Sequence, residues 1–389
     1  MTATAATPKI PLWLDCDTGH DDAYALLISA HDPRVELLGV TTVHGNAALE
    51  QTTFNTRAIL EAIGRRDVKV YSGAAKPIVR EAVHAADIHA GESGLDGVTL
   101  LPQPIEPAAT DVDYLEAMYK ALIATPPNTA WLVSTGTLTN IGLLFQKYTD
   151  LAGHLKGLSI MGGAVGGGFT NAPMGKVKGE GERFGNWTAY AEFNIYCDPE
   201  ASAFIFSHPI LKPKTTLIPL DLSHLVLGTS AVRRTQLYGS DEPLDASSAK
   251  SDRTPSALRA LFTQIMSFFA GTYAEVFSIT DGPPLHDPLA VAAAIDPDIF
   301  DDKGGERFQV DIVTEGVHSV TQSDVGELGR TKVTKLQSGE GGCRIPRSVD
   351  LGKFWGSIES ALKRADAVSP MPKISREDLE KDGVFVGID

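Results

Sequence analysis

The stretch Asp15-Cys16-Asp17-Thr18-Gly19-His20-Asp21-Asp22 packs four carboxylates into eight residues. Like charges at this density repel and raise one another's pKa. A hard divalent ion with oxygen ligands, Ca2+ or Mg2+, relieves that repulsion. The cluster directly follows Ile10 to Cys16, an apolar run that reads as a strand. Sites in open α/β sheets lie beyond the carboxyl ends of strands. An Asp at a helix N-terminus is also favourable in itself. Capping accounts for Asp21 or Asp22, but not for all four acids.

Other residues carry chemistry further along. Asn46 ends a second strand-like run, where it could also cap a helix. Glu192 and Asn194 flank Phe193. An acceptor, an amide and a flat wall suit sugar hydroxyls, although Phe193 equally suits core packing. His286 and Asp287 precede an Ala-rich helix pattern, where they could be a flanking polar group and an N-cap.

Two chemistries compete for the acidic cluster. The D-x-D-x-T pattern of haloacid-dehalogenase-type phosphatases is met in part: Asp15 and Asp17 fit, but Gly19 holds the Thr place. Asp15 would then be a nucleophile and Asp17 a general acid–base, with Mg2+. The longer pattern D-x-D-x-G-x-D-D is met in full by Asp15, Asp17, Gly19, Asp21 and Asp22. It resembles the nucleoside hydrolases of the inosine–uridine-preferring family. The Asp21-Asp22 pair is surplus to the phosphatase pattern.

Further segments are similar to the same family, and in its order. Thr41-Thr42-Val43-His44-Gly45-Asn46 resembles its T-T-V-x-G-N strand end. His89 and Gly91 to Gly97 resemble its H-G-x-x-G-L-x-G loop, with Ala90 as an extra residue. Val133 to Asn140 is similar to its strand-end turn, and Leu158 to Gly163 to its L-x-x-M-G-G. Ala191-Glu192-Phe193-Asn194 followed by Asp198-Pro199-Glu200-Ala201 matches A-E-F-N-x-x-x-D-P-E-A, and His286-Asp287-Pro288-Leu289 matches H-D-P/A. The resemblance runs from about Pro11 to Pro297.

The resemblance implies hydrolysis of the N-glycosidic bond of ribonucleosides (uridine, inosine or similar) to ribose and free base, with Ca2+ as cofactor. Asp17 would bind Ca2+ and act as general base on a water. Asp22, Asp287 and the carbonyl of Thr135 would complete the protein ligands. Asp21, Asn46, Asn186, Glu192, Phe193, Asn194 and the backbone of Met161 would hold the ribose. Asp15 would support the cluster from behind. His286 would protonate the leaving base, with His89 and Tyr273 beside it. None of Trp13, Trp131, Trp187 and Trp355 stands where purine stacking needs one, so a non-specific or pyrimidine preference is expected. The family forms dimers or tetramers, so a homodimer or homotetramer is expected. A third possibility is an inactive Ca2+- or nucleoside-binding protein.

Elements must position these groups. Helical spacing follows at Asp22 to His31 and Ala47 to Ile63, and β-branched runs at Val35 to Val43 and Val68 to Tyr71. The rhythm returns with strands at Ala130 to Ser134, Leu158 to Met161 and Thr215 to Pro219. Helices are expected at Leu138 to Tyr148, Pro199 to Ser207, Pro255 to Phe277 and from Asp287 to Ile295. Alternation of this kind predicts one α/β domain, Rossmann-like, with a mostly parallel central sheet flanked by helices. His84 to Pro107 reads as a loop. Insertion loops are expected near 162–185, which is Gly-rich, and near 239–253, which is polar.

The bulk composition excludes more than it identifies. The 389 residues carry 34 Lys+Arg against 49 Asp+Glu, a net charge of −15, which opposes a nucleic-acid grip. Three scattered cysteines make no disulfide framework or zinc knuckle, and suit a reducing, cytoplasmic setting. No run of about 18 apolar residues appears, so no membrane span is expected.

Overall fold

The computed structural model describes residues 8–84, 93–175, 183–240, 254–318 and 326–386. A six-stranded sheet in the order β3-β2-β1-β4-β5-β6 forms its centre. The strands are β1 (Ile10–Cys16), β2 (Val35–Thr42), β3 (Val70–Ser72), β4 (Trp131–Ser134), β5 (Gly157–Met161) and β6 (Thr215–Ile218). Every neighbouring pair in it is parallel. Parallel sheets need both faces covered, so their strands are apolar on both sides. β1 shows this: Leu12, Leu14 and Cys16 enter one core, and Trp13 enters the other.

One face carries α1 (Asp22–His31), α2 (Leu49–Ala62), α10 (Ala257–Phe277), α11 (Asp287–Ile295) and the C-terminal helix Leu351–Asp366. The other carries α3 (Tyr114–Ile123), α4 (Thr139–Lys147) and α7 (Pro199–Ser207). Side chains start several of these helices. Asp113 accepts from the backbone N–H groups of Leu115 and Glu116, and Asp198 accepts from that of Ala201 ahead of Pro199.

The expected strand–helix rhythm is present, with shifted edges at β3, which runs Val70–Ser72 rather than from Val68. Several features were not read from the sequence. These are α3, the helices α5 (Leu151–His154), α6 (Phe193–Cys197), α8 (Leu220–Ser223) and α9 (Ser230–Tyr238), the antiparallel pairs β7 (Phe300–Asp301) with β10 (Ser348–Val349) and β8 (Phe308–Ile312) with β9 (Thr331–Lys335), and the C-terminal helices Leu351–Asp366 and Arg376–Lys381. The described part of 162–185 forms no helix or strand, yet it is tied down. The Asp221 carboxylate accepts from the N–H of Val165 and of Gly166, and the Arg347 guanidinium lies 3.6 Å from the Phe169 ring centroid. Residues 176–182 of that stretch, and 241–253 of the polar one, lie outside the described residues.

The seam between β1 and β2 is set by size. The register shifts between Leu12 and Trp13, and Trp13 pairs with Gly39. A Cβ on Gly39 would stand 2.6 Å from Trp13 Cζ3. Overpacking a filled core costs about 1–3 kcal/mol. Gly39→Ala is therefore expected to lower unfolding stability by about that much in urea denaturation; an unchanged midpoint would show that the ring yields freely.

Candidate active site

The strand order reverses between β1 and β4, which opens a crevice at their carboxyl ends. The acidic cluster leaves β1 there, and Thr135 leaves β4 beside it. The Thr135 N–H donates to the Asp15 carbonyl at 2.8 Å, stitching the two strand ends together. The N-termini of α1 and α11 converge on the same place, so Asp22 and Asp287 each begin a helix. Asp21 stands at the cap position of α1, but its carboxylate caps nothing in that helix. It instead accepts from the Asp287 N–H at 3.3 Å. Capping therefore does not explain Asp21.

Asp21, Asp22 and Asp287 each place a carboxylate oxygen so that all three lie within 4.8 Å of one another, and all are buried. Asp22 accepts from the Thr135 hydroxyl at 2.7 Å and from the Gly19 N–H at 2.9 Å. Asp17 lies deeper. Its Oδ2 accepts from the Asn46 N–H at 2.8 Å, while its buried Oδ1 has no hydrogen-bond partner. A Cβ on Gly45 would collide with Asp17 Oδ2, and one on Gly136 would stand 2.8 Å from Oδ1. Both glycines thus leave room for this one carboxylate.

No ion pair joins these acids to Lys or Arg among the described residues. Burial, followed by the Asp22 charge, pushes Asp17 well above the usual carboxylate range. The same two causes bring Asp21 to about 7. Burial raises Asp22 as well, and burial and then the Asp21 charge raise Asp287 strongly. Asp15 is also pushed to about 7 by burial, although Asn140 and Thr41 donate to it. An orphaned buried carboxylate oxygen and an all-oxygen donor set fit a hard divalent cation.

A cleft opens above the acids. Asp21, Asn46, Thr135, Met161, Asn186, Glu192, Phe193, Asn194, Tyr273, His286 and Asp287 line it. The space between them is only about 20 Å3, close to one water. Glu192 is the N-cap of α6: its carboxylate accepts from the N–H groups of Gly163, Asn194 and Ile195. Asn194 Nδ2 donates to the Thr135 carbonyl at 2.9 Å and approaches Met161 Sδ at 3.5 Å. Asn186 Oδ1 accepts from the Phe193 N–H at 2.9 Å. Phe193 does both things its type allows: it lines the cleft and packs in a cluster with Phe269, Tyr273 and Phe277.

His286, next to Asp287 in the lining, has Ser223 Oγ 2.7 Å from Nδ1 and the Tyr273 hydroxyl 2.7 Å from Nε2. A larger cavity of about 1010 Å3 is lined by Gly166–Gly168, Met174, Phe184 and Phe277 among others. Its Phe277 ring lies 5.0 Å from that of Tyr273 in the cleft lining.

Of the residues singled out in the sequence, all but four line the cleft itself. Asp17 and Asp22 lie beneath it. His89 falls outside the described residues, although Ser93 and Asp96 of its loop are anchored to the β1 turn by Asn55 and His20. Asp15 sits behind the sheet end and lines no cleft, held by Thr41 and Asn140. His20, inside the acidic run, turns away to stack on Phe268 and Phe269. Sequence reasoning missed Ser223 and the buried chain His44–Thr139–Asp198 behind the Asn46 turn. The polar run Asp221-Leu222-Ser223-His224, placed just after β6, was the available signal for the first.

Known proteins resemble this chain in sequence and in fold. The curated uridine nucleosidase of Saccharomyces cerevisiae is 36% identical over 365 residues, covering 93% of this chain and 98% of its own. The pyrimidine-specific ribonucleoside hydrolase RihA of Photobacterium profundum is 34% identical, covering 84% of this chain and 89% of its own. Among solved structures, the purine-preferring ribonucleoside hydrolase from Gardnerella vaginalis shares the fold with a TM-score of 0.72, at 24% identity over 92% of this chain and 100% of that one. The family model described as inosine-uridine preferring nucleoside hydrolase matches residues 12–356, well past Pro297, where the motif trail ends. The chain belongs to the inosine–uridine preferring nucleoside hydrolase family, and it is a glycosidase of that class.

Proposed function

We propose that this enzyme hydrolyses ribonucleosides such as uridine and inosine to ribose and free base, with Ca2+ bound at the acidic cluster. The convergence of Asp21, Asp22 and Asp287, with the unpaired oxygen of Asp17 under a cleft of ribose-holding groups, carries this reading. Asp17, Asp22, Asp287 and the Thr135 carbonyl would hold the cation, with Asp21 beside them. Bound there, a cation would neutralise the packed carboxylates and would lower the pKa of a water beside it.

The chain's own residues supply the rest. Cleavage passes through an oxocarbenium-like ribosyl transition state. Asp17 Oδ1, which has no internal hydrogen-bond partner, accepts the proton of the attacking water. Asp21, Asn46, Asn186, Glu192, Asn194 and the Met161 backbone grip ribose hydroxyls, and Phe193 walls the ring. Such contacts accelerate the reaction insofar as they tighten when the ring flattens. His286, with Tyr273, delivers a proton to the departing base. Asp15 stays behind the cluster as a support.

The aromatic groups lining the cleft are Phe193 and Tyr273, while Trp187 packs against Phe193 and Tyr196. That absence of tryptophan from the described lining, together with likeness to a uridine nucleosidase and a pyrimidine-specific hydrolase, favours pyrimidine or broad base preference. A homodimer or homotetramer, and a cytoplasmic setting that keeps Cys16, Cys197 and Cys343 free, complete the proposal.

Asp17→Ala is expected to abolish release of ribose from uridine and inosine, by at least about 100-fold, while circular dichroism stays unchanged. Retained turnover would reject Asp17 as the base. Phosphate release from a generic ester, with label captured at Asp15, would instead support the phosphatase alternative.

A second expectation concerns pH and metal. Asp15 and Asp21 bind protons more tightly folded, near 7, than unfolded, near 3.8. Between those values the native state holds more protons, so chelated protein must lose stability as pH rises from about 4 to 7. Added Ca2+ is expected to raise the thermal midpoint more at pH 7 than at pH 5, by about 2.7 kcal/mol of stability at one hundred times its Kd. A midpoint indifferent to Ca2+ at pH 7 would reject the cation assignment.

A further inference from the structure

One short turn after β6 touches three parts of the enzyme at once. Asp221, Ser223 and His224 sit in or next to α8 and are each 1% exposed or less. The Asp221 carboxylate accepts from Val165 N–H at 2.7 Å and Gly166 N–H at 2.9 Å, and its carbonyl accepts from the Thr170 hydroxyl. His224 Nδ1 lies 2.6 Å from the Pro173 carbonyl. That carbonyl only accepts, so Nδ1 carries the proton. The turn is thus pinned on both sides, and Ser223 projects from it to His286 Nδ1 at 2.7 Å.

The hydrogen-bond directions can be followed from the far end. Asn186 Oδ1 is taken by the Phe193 N–H, so the amide that Asn186 turns to Tyr273 is its NH2 donor. Delivery of a proton towards the base needs that proton on His286 Nε2, which then donates to the Tyr273 oxygen 2.7 Å away and leaves the Tyr273 O–H for the cleft. The Ser223 hydroxyl, 2.7 Å from Nδ1, donates to that nitrogen. A histidine's tautomer is set by the partner of its other nitrogen.

We propose, resting on the function proposed above, that Ser223 is a positioning residue for departure of the base. By donating to Nδ1 it fixes the tautomer and ring plane of His286, so that Nε2 keeps the proton and faces Tyr273 and the cleft. Ser223 itself lines no part of the cleft and touches no substrate.

A chromogenic riboside separates this role from a structural one. Nitrophenolate departs without needing a proton, whereas uracil does need one. In the full chain, Ser223→Ala is expected to lower kcat for uridine by about 10–100-fold, part of what a general acid contributes, with KM changed less than about threefold. Hydrolysis of p-nitrophenyl riboside should stay near the parental rate, which also reports an intact fold. Ser223→Thr keeps the hydroxyl and should recover most of the uridine rate. Equal losses on both substrates, a change confined to KM, or an unchanged uridine rate would each overturn the role of Ser223. A parent chain inactive on uridine and inosine would overturn the nucleoside-hydrolase reading itself, and this inference with it.

Discussion

Buried like charge is the constraint around which this molecule is arranged. Asp17, Asp21, Asp22 and Asp287 are removed from water at one sheet switch point with no basic side chain paired to them among the described residues. Two helix N-termini point at them, yet a helix dipole contributes only about 0.3–1 kcal/mol to a nearby anion, or about 2 at best. Isolated buried ions cost several kcal/mol each even after relaxation. Helix ends therefore cannot hold the cluster ionised alone. Protons or a cation must make up the difference, and the all-oxygen donor set suits a hard cation. The parallel topology makes the crossing possible, because it brings Asp287 from far along the chain to acids that leave the first strand.

The cleft lining combines two chemical characters. Carboxylates and amides (Asp21, Asn46, Asn186, Glu192, Asn194 and Asp287) sit in it beside Phe193, Tyr273 and His286, whose rings continue into a cluster with Phe269 and Phe277. Glu192 ties this lining to the backbone. Its carboxylate caps α6 and also accepts from the Gly163 N–H, so one side chain joins the start of α6 to the turn after β5.

The sheet was legible because its signals are local. Apolar runs such as Ile10–Cys16 and helices such as Asp22–His31, Pro199–Ser207 and Asp287–Ile295 lie where periodicity and flanking residues place them. The acidic run stood out because no structural role uses four carboxylates. Other features were hidden for physical reasons. α6 has five residues, too few to show a period, and its cap is a Glu that also looks like a sugar-binding group. The hairpin Phe308–Ile312 with Thr331–Lys335 pairs across eighteen intervening residues, so nothing local announces it. Ser223 was missed because a lone serine carries no signal until the fold brings it to His286. His20 shows the reverse error that spacing invites: it stands inside the acidic run and points into a phenylalanine stack.

The narrowness of the cleft has a thermodynamic consequence. About 20 Å3 is smaller than a ribose, so seating one in the proposed site requires an open form in which the lining side chains have parted. If that open form is a minor population, apparent affinity falls by the same fraction, about 1.4 kcal/mol for every tenfold rarity. Affinity then reports the cost of parting the lining as well as the contacts made once it has parted.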